Sequence, residues 1–253
     1  MEAEFDTVAE WTARVAQRLG PEHYIPAGCR GSGSPAALDW LISGLGLSAN
    51  EAMLDCGAGV GGPAAYAAHK VGAVPLLVEP EAGGCRAART LFGFPVVQAV
   101  GSALPLADAT FDAAWSLGVL CTTSRQLELL TELRRTVRPP GRIALLVFVA
   151  REPVSGKQPQ GNHFPTPDGL AALIDDAGLR IQAWRGTDDL PAASQDWNRR
   201  VDAVTDALAE RYGDTQAWQV AERQSNRIAD LLSEGAVTGE LLVLRHASSS
   251  TSS

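Results

Sequence analysis

A short apolar run, Met53-Leu54-Asp55-Cys56, leads straight into Gly57-Ala58-Gly59-Val60-Gly61-Gly62-Pro63. The pattern demands a strand that turns within a few residues into a helix. Glycines permit positive φ and let a ligand come close to the backbone, and the helix start leaves N–H groups free. Glycine-rich strand-to-helix turns also serve plain packing, so the loop alone decides little. Its companion is Glu79, which ends Leu76-Leu77-Val78-Glu79 and lies 22 positions after Gly57. In a doubly wound sheet that spacing sets a carboxylate beside the loop, able to accept hydrogen bonds from both hydroxyls of a ribose. The bland alternative is a solvated carboxylate at a strand end.

From residue 51 to 245, apolar runs alternate with amphipathic stretches, as in a parallel sheet wrapped by helices. Residues 51–56, 74–79, 95–100, 111–116, 142–149, 179–184 and 240–245 read as strands. Residues 61–70, 81–91, 124–137 and 166–177 read as helices, the last opened by Thr166-Pro167-Asp168 with an N-cap and a proline at the first helical position. Two regions leave this alternation. Residues 1–50 carry a helix at 5–19, a turn-rich stretch at 21–34 and a helix at 35–45. Residues 187–235 form a long excursion before the last strand, where Val201, Val204, Leu208 and Tyr212, then Trp218, Ala221, Ile228 and Leu232, recur at helical spacing. Those stripes read first as core packing, and beyond that as a cap over the ligand edge of the sheet. Residues 247–253 are small and polar and read as a disordered tail.

Composition narrows the partner. A net charge of −8 argues against duplex nucleic acid, whose binding draws on neutralised phosphates. The longest uninterrupted apolar run, 143–150, is far short of the roughly 20 residues of a membrane helix. The start, Met1-Glu2-Ala3-Glu4-Phe5-Asp6, is acidic and unlike a signal peptide, so a cytoplasmic protein is expected. Cysteines 29, 56, 85 and 121 lack metal-ligand spacing, and reduced thiols with no metal are expected.

A dinucleotide-binding Rossmann domain would share the loop and the acidic residue. Asp55 separates the two readings. In Asp55-x-Gly57-x-Gly59-x-Gly61 its carboxylate would face the charged, amino-acid-like end of a ligand and would repel a pyrophosphate. Downstream come Leu104-Pro105-Leu106-Ala107-Asp108-Ala109-Thr110-Phe111-Asp112, then Trp115-Ser116-Leu117-Gly118-Val119-Leu120, then Arg138-Pro139-Pro140-Gly141-Arg142. Taken together, in this order, these motifs resemble the class I S-adenosylmethionine-dependent methyltransferases over about residues 50–185 and the closing strand.

The resemblance implies an α/β, doubly wound, Rossmann-like seven-stranded sheet. Its last strand would be antiparallel and inserted between the fifth and sixth. The chain then divides into an N-terminal helical cap segment (1–50), a cofactor-binding core (51–186), a helical cap insertion (187–235), the closing strand (236–246) and the tail. S-adenosylmethionine is the implied cofactor. Asp55, Gly57, Ala58 and Gly59 would line its methionine and ribose portions, and Glu79 would bind the ribose hydroxyls. Ser102 and Ala103 would border the adenine, and Leu117 would sit near the sulfonium. The family often has Asp at the position of Ser102, which can still accept a hydrogen bond.

Methyl transfer is an in-line displacement in which the protein mainly supplies proximity, and a base is needed only if the acceptor must lose a proton. The candidates are His163, in the loop after the fifth strand, and His23. His69 and His246 read as surface residues, Cys56 as filler beneath the loop, and Cys121 as no nucleophile. Residues 28–35 read equally as a linker or as a segment folding over the cofactor, with Arg30 reaching the cofactor's carboxylate or an acidic substrate. Trp184, Trp197, Trp218, Tyr212 and Phe164 either fix the insertion to the core or line an apolar pocket. The expected partner is a small-molecule acceptor, and monomer and homodimer stay open. Two further readings keep the fold: a cofactor-binding protein catalysing cyclisation or isomerisation, and a non-catalytic binding subunit.

Overall fold

The computed structural model describes residues 2–31, 33–153, 158–159 and 161–247. Helix α1 (Glu2–Leu19) is followed by a 3-10 turn (Pro21–His23), a short helix α2 (Tyr24–Gly28) and α3 (Pro35–Leu45). The stretch expected as turns at 21–34 therefore contains α2. Pro26 hides it in the sequence, yet it falls in the first turn, where a missing N–H leaves no helical bond unmade. Ser34 caps α3 as its spacing predicts, accepting from Ala37 N at 3.3 Å.

The alternating part runs β1 (Ala52–Cys56), α4 (Gly62–Val71), β2 (Val74–Glu79), α5 (Ala82–Phe92), β3 (Val96–Gln98), β4 (Phe111–Leu117), α6 (Gln126–Thr136) and β5 (Val137–Ala150). It continues with α7 (Pro167–Asp176), β6 (Leu179–Gly186), α8 (Gln195–Tyr212), α9 (Gln216–Ser233) and β7 (Val237–His246). The seven strands are ordered β3-β2-β1-β4-β5-β7-β6. Neighbours from β3 to β5 pair in parallel, and β7 runs antiparallel between β5 and β6. β5 begins earlier than the sequence suggests, because a register shift at Phe111/Ala113 accommodates Pro139 and Pro140, which donate nothing to the ladder.

Strand alternation sends side chains to two buried faces. Leu54, Cys56, Ala114, Ile143 and Leu145 pack beneath α6 and α7 through Leu129, Leu133 and Leu170. Met53, Trp115, Ala144 and Leu146 pack beneath α3 through Leu38 and Leu41. Helices α8 and α9 join α1 through Val204, Leu208 and Trp218 against Ala13 and Ala16. The far end of α9 returns to the sheet through Leu231 against Ala150 and Val237. No helix among the described residues is long and apolar enough to cross a membrane. The tail expected at 247–253 lies, beyond Ala247, outside the described residues.

Candidate cofactor site

The C-terminal ends of β1, β2 and β4 meet the start of α4, the edge at which open α/β sheets bind ligands. Gly57, Gly59 and Gly61 all take positive φ, at 79°, 54° and 88°. At Gly57 a side chain is excluded twice over, since a Cβ there would also overlap Val119. Gly57 N and Ala58 N both donate to Val78 O, at 2.8 and 3.1 Å, and bind the turn to the end of β2.

Glu79 completes that turn. Its Oε2 accepts from Gly59 N at 2.7 Å and its Oε1 from Glu81 N at 3.0 Å. A carboxylate has about four lone-pair sites, so acceptor capacity remains for ligand hydroxyls. Burial raises the Glu79 pKa, and the two N–H bonds pull it back. Gly84 lets the carboxylate lie flat, because a Cβ there would come within 2.8 Å of Glu79 Cγ.

Asp55 is 2% exposed and its Oδ2 has no hydrogen-bond partner among the described residues. Desolvation pushes its pKa up to about 7, with nearby Glu79 adding to the rise. The Trp115 indole opposes the rise, although its N–H is itself unpartnered and so lies outside hydrogen-bonding geometry. Buried polar groups are hydrogen-bonded as a rule, so this oxygen is free to accept from a ligand or from water.

Residues 28–31 and 33–34 pass close to this edge of the sheet as a strap. Gly28 abuts the start of α4 so closely that a Cβ on it would come within 2.6 Å of Gly62 Cα. A Cβ on Gly62 would overlap the Gly28 carbonyl carbon in turn. Further along, Gly31 O is 3.7 Å from where Gly118 would carry a Cβ, and the Gly33 position lies 3.3 Å from Leu146 Cδ1. The strap thus passes from β1 over β4 to β5. Within it, Arg30 is half-buried, and among the described residues its guanidinium has no hydrogen bond or ion pair. Desolvation alone lowers its pKa.

On the far side of the loop, Gly101 sits against Cys56, where a Cβ would meet Sγ at 2.8 Å. Ser102 is half-buried beside it and Ala103 is exposed, with Ala103 N donating to Val100 O at 3.1 Å. Arg135 secures the next stretch of chain. It donates to Leu104 O at 3.0 Å and Leu106 O at 2.7 Å, while pairing with Asp108 and Glu132. Sequence reading missed this anchor, whose signal was the i,i+3 pair Glu132 and Arg135 on one helix face. Leu117 is buried at the end of β4, before Gly118 at φ 76°.

The two candidate bases stand apart from one another. His163 N donates to Cys121 O at 2.7 Å and its carbonyl accepts from Gln126 at 2.7 Å, so its backbone is pinned to the β4–α6 loop. Its imidazole is exposed. His23 sits at the α1–α2 corner, with a buried Nδ1 that lies 3.8 Å from Glu22 and has no hydrogen-bond partner among the described residues. Its neighbour Tyr24 packs edge-on to Phe92 of α5. The Cys121 thiol is buried and pushed up to about 11, which leaves it unreactive near neutral pH. His246 is half-buried and its Nε2 has no hydrogen-bond partner among the described residues, a correction to its expected surface place, because β7 lies between β5 and β6.

The aromatic residues of the insertion mostly attach it. Trp197 meets Tyr66 of α4 edge-on at 6.4 Å, and Tyr212 stacks on Trp11 of α1 at 4.0 Å. Trp184 donates to Glu240 at 2.7 Å. Ile25, Phe148, Leu190 and Trp197 are partly buried apolar residues packed against the core cluster to which Cys29, Leu117 and Leu146 belong.

A β3-β2-β1-β4-β5-β7-β6 sheet with a ligand-ready glycine turn after β1 defines the class I methyltransferase fold. A family model described as a methyltransferase domain matches residues 54–145. The methyltransferase GfsG of Streptomyces halstedii is 31% identical over 120 residues, 44% of this chain and 42% of that protein. The match therefore spans less than half the length of that curated relative. Among solved structures, the [4+2]-cyclase SpnF superposes with a TM-score of 0.65 at 22% identity, covering 83% of this chain and 80% of SpnF. The cyclopropane synthase MmaA2 from Mycobacterium tuberculosis gives 0.66 at 14% identity, covering 83% of each chain. Residues 54–145 are thus similar to a methyltransferase domain, and the sheet around them has the fold of the class I methyltransferases.

Proposed function

We propose that this protein binds S-adenosylmethionine in the cleft under the strap and transfers its methyl group to a small, largely apolar acceptor. The observation that carries the reading is the pairing of a carboxylate, Glu79, locked onto the glycine turn, with a buried acid, Asp55, and a half-buried guanidinium, Arg30, neither of which has an ion-pair partner among the described residues. A zwitterionic amino-acid end needs one acceptor for its ammonium and one donor for its carboxylate. Asp55 and Arg30 supply one of each. Glu79 suits the ribose hydroxyls, Gly57, Ala58 and Gly59 the close backbone approach, and Ser102 and Ala103 the edge of the adenine. When bound, the cofactor supplies an activated methyl group on a sulfonium. Leu117 closes the cleft beside that position and the strap excludes water from it, so the chain contributes alignment and a dry site.

Residues 1–50 and the 187–235 insertion act as the cap on this reading. The apolar wall of Ile25, Phe148, Leu190 and Trp197 favours an organic acceptor over a nucleic acid, in line with the net charge of −8. Four free thiols, all buried, suit a cytoplasmic setting. His163, exposed at the rim, is the candidate base for an acceptor that must lose a proton. The test is incubation with S-adenosylmethionine and a panel of apolar hydroxyl, amine and carbon acceptors, followed by mass spectrometry. Gain of one methylene unit with release of the demethylated cofactor is expected. The likeness to a [4+2]-cyclase favours one second reading, in which the cofactor stays intact and the product is isobaric with its precursor. Such a product without any methylated species would overturn the transfer reading.

A further inference from the structure

Four buried side-chain atoms lack a hydrogen-bond partner among the described residues, and two of them belong together. Asp55 Oδ2 is an acceptor and Trp115 Nε1 a donor, on residues paired in register across β1 and β4. Registered neighbours in a parallel sheet put their side chains on one face, in strands about 4.8 Å apart. Here it is the face beneath α3, and Trp115 is 0% exposed. Filling that space needs only the carbon skeleton of the indole, yet the side chain also carries an N–H that has no partner among the described residues. The retained donor, facing a stranded acceptor, points to a shared task.

Resting on the reading of Asp55 as the acceptor for the cofactor's ammonium, we propose that Trp115 is a positioning residue for the cofactor. Its indole N–H takes Asp55 Oδ2 when the ammonium takes the other carboxylate oxygen, so that Asp55 enters the complex ionised and aimed. Indole suits this role because it donates only, never titrates, and cannot turn an acceptor toward the carboxylate. Apart from Trp115, only the backbone N–H of Ala64 on α4 favours the charged form of Asp55. Glu79 from β2 faces it with like charge, and the Cys29 thiol of the strap lies near with its own pKa pushed up by burial. Beyond Cys29, the Tyr66 phenol of α4 is raised to about 12 and stays neutral. Among the described residues no cation pairs with Asp55. Trp115 is thus the one side chain on the adjacent strand that favours the charged form.

The experiment is calorimetric titration with S-adenosylhomocysteine from about pH 5 to about pH 9, using the wild type, Trp115→Phe and Asp55→Asn. A parallel series uses the analogue lacking only the α-amino group. Wild-type affinity is expected to rise with pH through about 7, as Asp55 ionises. It should level off and then fall above about pH 8, as the ligand's own ammonium is lost. In Trp115→Phe the rising limb moves to higher pH by about one unit, with about tenfold weaker binding on that limb. Asp55→Asn loses the limb, and the amine-free analogue shows none with any variant. A Trp115→Phe protein with the wild-type midpoint and affinity overturns the proposal. Absence of binding by the wild type itself would instead overturn the cofactor reading beneath it. If Trp115→Phe does not fold, the ¹⁵N-indole spectrum of the wild type decides. One of the six indole signals should shift downfield on ligand addition, and that shift should be lost in Asp55→Asn. A spectrum in which no indole responds overturns the proposal.

Discussion

The glycine turn with its strap and the α8–α9 insertion cover the same edge of the sheet by opposite means. Beneath the strap the backbone itself is packed: Gly28 lies on Gly62 main chain to main chain, Gly57 lies under the Val119 side chain, and Glu79 is held by two main-chain N–H groups. The insertion instead rests on side chains, through Trp197 on Tyr66, Tyr212 on Trp11, and Leu231 on Val237. Backbone packing fixes positions to fractions of an ångström and tolerates no added atom, whereas apolar side-chain packing can be re-cut residue by residue. A site for an invariant cofactor needs the first kind of construction, and a site for a variable acceptor can use the second.

That contrast is breakable. The largest effect is expected at Gly62→Ala, where the new Cβ overlaps the Gly28 carbonyl carbon and no side chain can move aside. Destabilisation of about 3 kcal/mol or more, together with loss of cofactor binding, should appear in a thermal melt and a titration. Arg30→Ala separates binding from folding on the same strap. It removes a cation that has no partner among the described residues, so the free protein should melt at the same temperature or higher. Cofactor affinity should nevertheless fall about tenfold to a hundredfold, the value of a charged hydrogen bond. An Arg30→Ala protein that binds normally would move Arg30 out of the site. Trp197→Ala sharpens the other side. Loss of its half-buried contact with Tyr66 should lower stability by about 1–2 kcal/mol and leave the cofactor dissociation constant unchanged.

The two regions also differ in how far the sequence revealed them. Loop, acidic residue and strand order follow from local signals: apolar period, glycine clusters, and a carboxylate at the right remove. β2 runs from Val74 to Glu79 and α3 from Pro35 to Leu45, as the sequence reading had them. Helix α2 stayed hidden because Pro26 is a local sign of a break, and only its place in the first turn makes it harmless. The Gly28–Gly62 contact, the stranded Asp55–Trp115 pair and the lone Arg30 were illegible for another reason. Each depends on which residues face one another across elements, and no periodicity within one element carries that. His163 was placed correctly in a loop, but its backbone is held by Cys121 and by Gln126 at the start of α6, far from it in sequence.

The central claim is that Glu79 and the glycine turn form a site for S-adenosylmethionine. It is tested most directly by calorimetric titration of the wild type and a Glu79→Ala variant with S-adenosylmethionine, S-adenosylhomocysteine and NAD. The account predicts that the wild type binds the first two and not NAD. It also predicts that Glu79→Ala weakens binding about a hundredfold, through loss of charged hydrogen bonds to the ligand and to Gly59 N. Wild-type protein that ignores both adenosyl ligands, or that binds them equally well without Glu79, would contradict it.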